Sequence, residues 1–160
     1  MNVRTATAAD VPAVASILDE ATAYVQTKGS DQWRVPFPRD ELHDRVGRGE
    51  LYVVDVGDET AATFTLLLDD PFFWGARPAD AVYLHKLAVR RAFAGQRLGE
   101  RIVDWILHEA AGRGREFVRL DCQRDLPGIR DYYERLGFEL VGEKEEGRFA
   151  WALYQRRAGR

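Results

Sequence analysis

The stretch Tyr83–Val103, YLHKLAVRRAFAGQRLGERIV, decides the architecture. Its first part belongs to AVYLHKLAVRR (81–91), which is rich in β-formers and almost uninterrupted, and so predicts a strand. Small residues follow in AFAGQRLG (92–99). The chain then enters a helix whose apolar stripe is Leu98, Ile102, Trp105, Ile106 and Ala110. A strand feeding a small-residue turn and a helix N-terminus is suited to an anion. The first N–H groups of a helix have no intrahelical partner, and the helix dipole favours negative charge there. Neither GxxxxGK[ST] nor GxGxxG occurs, which excludes the common nucleotide phosphate loops.

Towards the N-terminus, Asn2–Ala6 is a short strand candidate. TAADVPAVASILDEATAYVQTKG (7–29) then sets Val11, Val14, Leu18, Ala21 and Val25 at helical spacing. Thr7 or Asp10 caps this helix, Pro12 fits its first turn and Gly29 ends it. SDQWRVPFPR (30–39) reads as a loop, and PRDELHDRVGRG (38–49) as a second, short helix. LYVVDV (51–56) and AATFTLLLDD (61–70) form a hairpin turning at Gly57-Asp58, and PFFWGARPAD (71–80) is a loop. Beyond the central helix, FVRLDC (117–122) is a compact strand and PGIRDYYERLG (127–137) a short helix opened by Pro127. FELVGEKEEGRFAWALYQRR (138–157) is a strand pair turning around Glu145–Gly147. This order predicts an α+β fold of the three-layer α/β type. Its mixed, mostly antiparallel sheet has six to seven strands with about four helices on its faces, in one domain over 1–160.

Composition narrows the class without naming an activity. Of 160 residues, 46% are hydrophobic and 31% charged, which excludes wholesale disorder. No run of 18 apolar residues exists, so no membrane segment is expected, and MNVRTATAADVPAV lacks a signal-peptide core. A cytoplasmic protein follows, acting as a monomer or homodimer. The single Cys122 cannot form an internal disulfide, and no Cys/His cluster calls for a metal. The net charge of −3 argues against a nucleic-acid binder, although the basic residues are 20 arginines to 3 lysines. A GC-rich genome explains that bias most simply. Local anion recognition by guanidinium groups is the alternative.

From Thr5 to Arg156 the element order resembles the GNAT superfamily of acyl-coenzyme A-dependent N-acyltransferases. YLHKLAVRRAFAGQRLGERIV is similar to that family's strand, pyrophosphate loop and helix, and DYYERLGFELVG (131–142) to its late helix–strand junction. The resemblance implies the GNAT fold and acetyl-CoA as co-substrate. The family's loop reads Gln/Arg-x-x-Gly-x-Gly/Ala, and here the window is Ala94, Gly95, Gln96, Arg97, Leu98 and Gly99. Gly99 matches, Ala94 replaces the polar first residue and Arg97 replaces the first glycine. Main-chain amides of this window would hold the pyrophosphate, helped by the guanidinium of Arg97 or Arg91. The backbone of Leu87, Ala88 and Val89 would pair with the pantetheine arm, and an amide there would polarise the acyl carbonyl. Asp125 falls where many relatives carry a cofactor-contacting asparagine; lying two residues before Pro127, it reads more plainly as a helix cap.

Two side chains are candidates for proton transfer. Tyr133 matches the family tyrosine that protonates the departing thiolate, although Ile129, Tyr133 and Leu136 also share a helical face that could simply be core; Tyr132 is the neighbouring alternative. His85 alternates with Tyr83, Leu87 and Val89 on one strand face, and resembles the strand histidines that help deprotonate the amine in the arylalkylamine branch. A half-buried structural histidine is the competing reading. His43 and His108 lie in helices among charged neighbours and read as solvated. Cys122, with no histidine partner signalled, is not expected to be a nucleophile. The implied reaction is acetyl transfer to a primary amine of a small molecule by direct attack. Trp33, Phe37, Phe73 and Trp74 would line an apolar or aromatic acceptor pocket, and Asp69 or Asp70 would attract a cationic amine. A non-catalytic coenzyme A-binding module, favoured by the departures at Ala94 and Arg97, and an acetyltransferase of protein N-termini or lysines are the competing readings.

Overall fold

The computed structural model describes residues 1–30 and 36–159. Its strands form one mixed sheet in the order β1-β2-β3-β4-β5-β7-β6, and the chain divides into two compact units. The first holds Met1–Leu66 and Lys86–Gly99, the second Leu67–His85 and Glu100–Arg160.

In the first unit, β1 (Asn2–Thr5) pairs antiparallel with β2 (Leu51–Val56), and β2 with β3 (Glu59–Leu67). Gly57 turns the β2–β3 hairpin at φ +61°, as the Gly-Asp pair predicts. A 3-10 turn at Ala8–Asp10 precedes α1 (Val11–Thr27), and α2 (Arg39–Gly47) follows. Arg4 fixes this corner by donating to Asp55 at 2.9 Å and twice to Asp10 at 2.8 and 2.9 Å. Those bonds hold the Asp10 carboxyl well below the usual carboxylate range. The α1 stripe packs as its spacing requires: Val11, Val14, Ile17 and Leu18 share a buried cluster with Leu42, Leu51, Val53 and Ala88.

In the second unit, Ala81–Leu84 of β4 (Ala81–Val89) run parallel to Phe117–Leu120 of β5 (Phe117–Gln123). β5 pairs antiparallel with β7 (Phe149–Arg157), and β7 with β6 (Glu139–Glu146). α4 (Leu98–Gly112) buries Ile102, Val103, Ile106, Leu107 and Ala110, while Trp105 is only half-buried. The apolar stripe thus runs through Val103 and Leu107 as well as the expected positions. α5 spans Pro127–Arg135. The segment expected to be a loop opens with a helical turn, α3 (Pro71–Trp74), because Pro71 presets the first helical φ and Gly75, at φ +67°, stops it. Seven strands and five α-helices result among the described residues. No helix among the described residues is long and apolar enough to cross a membrane.

β4 departs from the expected alternation. Lys86 has φ +51° in mid-strand, a left-handed backbone that interrupts the regular two-residue alternation. His85, Leu87 and Val89 are therefore not held on one face by a two-residue period. After Lys86 the fully buried residue is Ala88, while Leu87 and Val89 are half-buried. The Lys86 ammonium is tied to Glu41 of α2 at 3.0 Å and lies 5.5 Å from the Phe37 ring centroid.

A left-handed residue with a Cβ costs about 1–2 kcal/mol, against about 0.5–1 kcal/mol of chain entropy for glycine. Lys86→Ala and Lys86→Gly lose the same ion pair, so their difference isolates the backbone term. The glycine variant is expected to equal or exceed the alanine variant in stability, by up to about 1 kcal/mol on urea denaturation. An ordinary strand position would give the opposite order, and that order would rule out left-handed strain at Lys86.

Candidate active site

His85 is the centre of a charged cluster within the second unit. Its Nε2 lies 2.8 Å from Asp70 Oδ2, just before α3, and its Nδ1 lies 3.5 Å from Asp121 Oδ1 on β5. The three side chains are only 17%, 8% and 12% exposed. Sequence reading chose His85 and named Asp70 as one of two possible attractors of an amine. It missed Asp121, because the parallel register that brings β5 alongside β4 is a property of the sheet. The ligand atoms of the three residues lie within 4.8 Å of one another. The two carboxylates address different ring nitrogens.

Aromatic rings adjoin this cluster. Phe73 of α3 is 5.9 Å from the His85 ring and packs edge-on against Trp151 of β7 at 5.2 Å and Phe72 at 4.8 Å. Phe72 is exposed, and the Lys144 ammonium sits 4.3 Å from its centroid. Trp151 was not singled out in the sequence, since only the sheet carries β7 to this place. Phe73, an expected pocket liner, is half-buried beside His85. Two other expected liners are buried instead. Phe37 is 5% exposed in the α1 core, its N–H bonded to Asp19, and Trp74 is 6% exposed, packed on Tyr83. Both aromatics are core because the proline-flanked loops that carry them fold inward. Trp33 lies outside the described residues.

In the first unit the strand-to-helix loop opens with a 3-10 turn, Arg91–Phe93, and leads to Leu98, whose buried side chain anchors the start of α4. Ala94, Gly95, Gln96 and Arg97 are exposed, with Gly95 at φ +77° and Arg97 at φ +58°. The Arg91 guanidinium lies 4.0 Å over the Tyr24 ring, and the Arg91 main-chain N–H donates to Glu20 of α1. Arg91 is thus occupied by α1, and does not point to the loop as expected.

Tyr133 of α5 is buried between Tyr132 at 5.2 Å and Phe138 at 5.7 Å, and that burial pushes its phenol well above the ordinary value. Tyr132, half-buried, is raised for the same reason. Asp125 does not cap α5: Leu126 is the residue at that position, and the Asp125 carboxylate faces Arg124 at the rim of a charged cleft of about 410 Å³.

The model of the acetyltransferase (GNAT) family matches residues 15–138. A Bacillus subtilis (strain 168) protein, the uncharacterized N-acetyltransferase YesJ, is 31% identical over 146 residues, covering 86% of this chain and 81% of its own. This chain belongs to the GNAT acetyltransferase family. A GNAT-family acetyltransferase from Listeria monocytogenes 4b F2365 matches with a TM-score of 0.81 at 25% identity, over 98% of this chain and 94% of that one. The PaiA N-acetyltransferase of Thermoplasma acidophilum, solved with coenzyme A, shares the fold at a TM-score of 0.78 and 11% identity, with 98% of each chain covered. GNAT proteins as a family transfer an acetyl group from acetyl-CoA.

Within the GNAT loop of this chain, Arg97 stands at the motif's first glycine and keeps a glycine-like left-handed backbone. The departure lies in the side chain, and the main-chain path survives it. Cys122, adjacent on β5 to Asp121, is buried, and burial and the Asp121 charge push its thiol up to about 12, which disfavours the nucleophilic thiolate. Iodoacetamide at about pH 8 is therefore expected to leave the folded GNAT domain unmodified by mass spectrometry and to label Cys122 fully in urea. Rapid labelling of the native protein would return Cys122 to the list of nucleophiles.

Proposed function

We propose that this GNAT protein acetylates the primary amine of a small molecule with acetyl-CoA as donor, His85 acting as the base. The carrying observation is His85 itself: a half-buried imidazole with a carboxylate on each ring nitrogen and the Phe73 ring beside it. A core histidine needs one partner, whereas a base that receives a proton from a cationic amine is served by carboxylates that draw the amine in.

The loop residues fit a pyrophosphate. Gly95 and Arg97 hold left-handed backbone, a Cβ at Gly95 would meet nothing within 4 Å, and Leu98 and Gly99 begin a 15-residue helix whose first amides lack intrahelical partners. In this reading Ala94–Gly99 bind the pyrophosphate, and the backbone of Leu87, Ala88 and Val89 aligns the pantetheine arm and donates to the acyl oxygen. Acetyl-CoA supplies the activated acetyl thioester. His85 removes the proton from the ammonium group, and Tyr133, kept protonated by burial, donates to the sulfur as charge develops there. Asp125, exposed and close to the start of α5, contributes at most a peripheral contact to the nucleotide end. The acceptor is a free small molecule of the cytoplasm, and the active species a monomer or homodimer.

Acetyl-CoA at a hundredfold excess over its dissociation constant is expected to stabilise the fold by about 2.7 kcal/mol in a thermal shift. With a panel of small amines, His85→Ala is expected to lower kcat by about 10²–10⁴-fold, and Tyr133→Phe to lower kcat while leaving acetyl-CoA binding intact. Binding without acetylation of any amine would make the chain a non-catalytic coenzyme A module, and acetylation confined to protein N-termini or lysines would replace the small-molecule acceptor.

A further inference from the structure

Glu20, Tyr24 and Lys28 recur every four residues along α1 and its C-cap, and so form one row on the helix. Within the first unit, that row meets the start of the strand-to-helix loop. Glu20 accepts the Arg91 main-chain N–H and lies 3.7 Å from the Arg90 guanidinium, which also donates to the Thr60 carbonyl at 3.1 Å and to Ser16 at 3.3 Å. The entrance to the loop is thereby fixed to α1 and β3, and the charge of Glu20 is matched by Arg90. Two cations are left. The Arg91 guanidinium lies 4.0 Å from the Tyr24 ring centroid, and the Lys28 ammonium 5.6 Å from the same centroid. Among the described residues, neither has a carboxylate within ion-pair distance.

A ring face attracts a cation but offers no lone pair, so the guanidinium N–H donors keep their capacity for an anion. The ring contact and the main-chain bond to Glu20 also hold Arg91 in one place, so little side-chain freedom is lost on binding. The anion this arrangement suits is a phosphate monoester, which carries about two negative charges at neutral pH and matches the planar guanidinium. The pyrophosphate is not that anion, because Arg91 is drawn from the loop to α1. Coenzyme A carries a further phosphate, the 3′-monoester, one ribose away from its pyrophosphate. Arg91 opens the 3-10 turn that leads to Ala94, and three residues span at most about 11 Å. One short stretch of chain can thus address both groups. We infer that Arg91, held on Tyr24 and reinforced by Lys28, is the receptor for the 3′-phosphate of coenzyme A. The inference rests on Ala94–Gly99 holding the pyrophosphate. The protein accordingly discriminates coenzyme A from its 3′-dephospho form, which a pyrophosphate loop alone does not do.

The probes are coenzyme A and 3′-dephospho-coenzyme A, compared by calorimetry at one salt concentration. The wild type is expected to bind coenzyme A at least about tenfold more tightly than the dephospho form. Arg91→Met, which keeps an apolar stem against Tyr24, is expected to cut that margin to about twofold or less without weakening the dephospho form. Tyr24→Leu and Lys28→Met are each expected to lower the margin in part. Equal affinity of the wild type for the two probes would overturn the inference, and that measurement needs no variant to fold. Equal loss of both probes in Arg91→Met would make Arg91 a structural post of the loop and would overturn it too. A margin left intact in Arg91→Met, with KM for O-phosphoethanolamine raised instead, would assign the receptor to a phosphate-bearing acceptor and overturn the cofactor assignment. Binding of neither probe by the wild type would instead sink the pyrophosphate reading above.

Discussion

A β-strand presents alternate residues to alternate faces, and a residue of different backbone geometry interrupts that schedule. Lys86, at φ +51°, is that residue in β4. Before it, Ala81–Leu84 lie in parallel register with β5, and His85 is delivered to Asp70 and Asp121. After it, Ala88 belongs to the buried cluster built on α1. An unbroken alternation would put His85 and the residues beyond it on one schedule, and the strand could not meet both demands. The left-handed φ at Lys86 is the local cost, and Glu41 and the Phe37 ring occupy its long side chain.

The second unit buries charge in two contrasting ways. Arg119 is 3% exposed, yet its guanidinium donates to Asp80 at 2.8 Å, to the Tyr83 hydroxyl and to Gln155, and faces the Trp74 and Phe117 rings. That group is saturated, and it fixes β5 to its neighbours without chemistry to spare. His85 is built differently: its two ring nitrogens each face a carboxylate, Asp70 at 2.8 Å and Asp121 at 3.5 Å.

The fold was legible because its signals are local. The 3.6-residue stripe of α1, the Gly57-Asp58 turn and Pro127 at the start of α5 each act within a few residues, and the observed elements fall where they indicate. His85 and Phe73 were legible as residue types, and their rings lie 5.9 Å apart. Asp121 and Trp151 were not, because they reach the cluster through register between strands distant in the chain, which no short-range pattern encodes. Phe37 and Trp74 misled for the reverse reason: a proline-rich or glycine-bounded segment looks like surface loop, but whether its aromatic side chain turns inward depends on the core it covers. Arg91 misled similarly, since the pull of Glu20 and Tyr24 comes from α1.

Lys86 and Arg97 are the two non-glycine residues with left-handed φ, at +51° and +58°, among the described residues. They stand near the two ends of the segment Lys86–Gly99, which belongs to one compact unit while the chain on either side belongs to the other. Glycine would adopt both conformations without strain, as it does at Gly95 in the same loop. Strained residues persist only where their surroundings over-determine them, and they concentrate at sites that bind or react. In this chain a long basic side chain is kept at each point despite about 1–2 kcal/mol of backbone cost. At Lys86 the return is visible in the pair with Glu41. At Arg97 the proposed function supplies the return: a positive charge on the loop that would take the pyrophosphate.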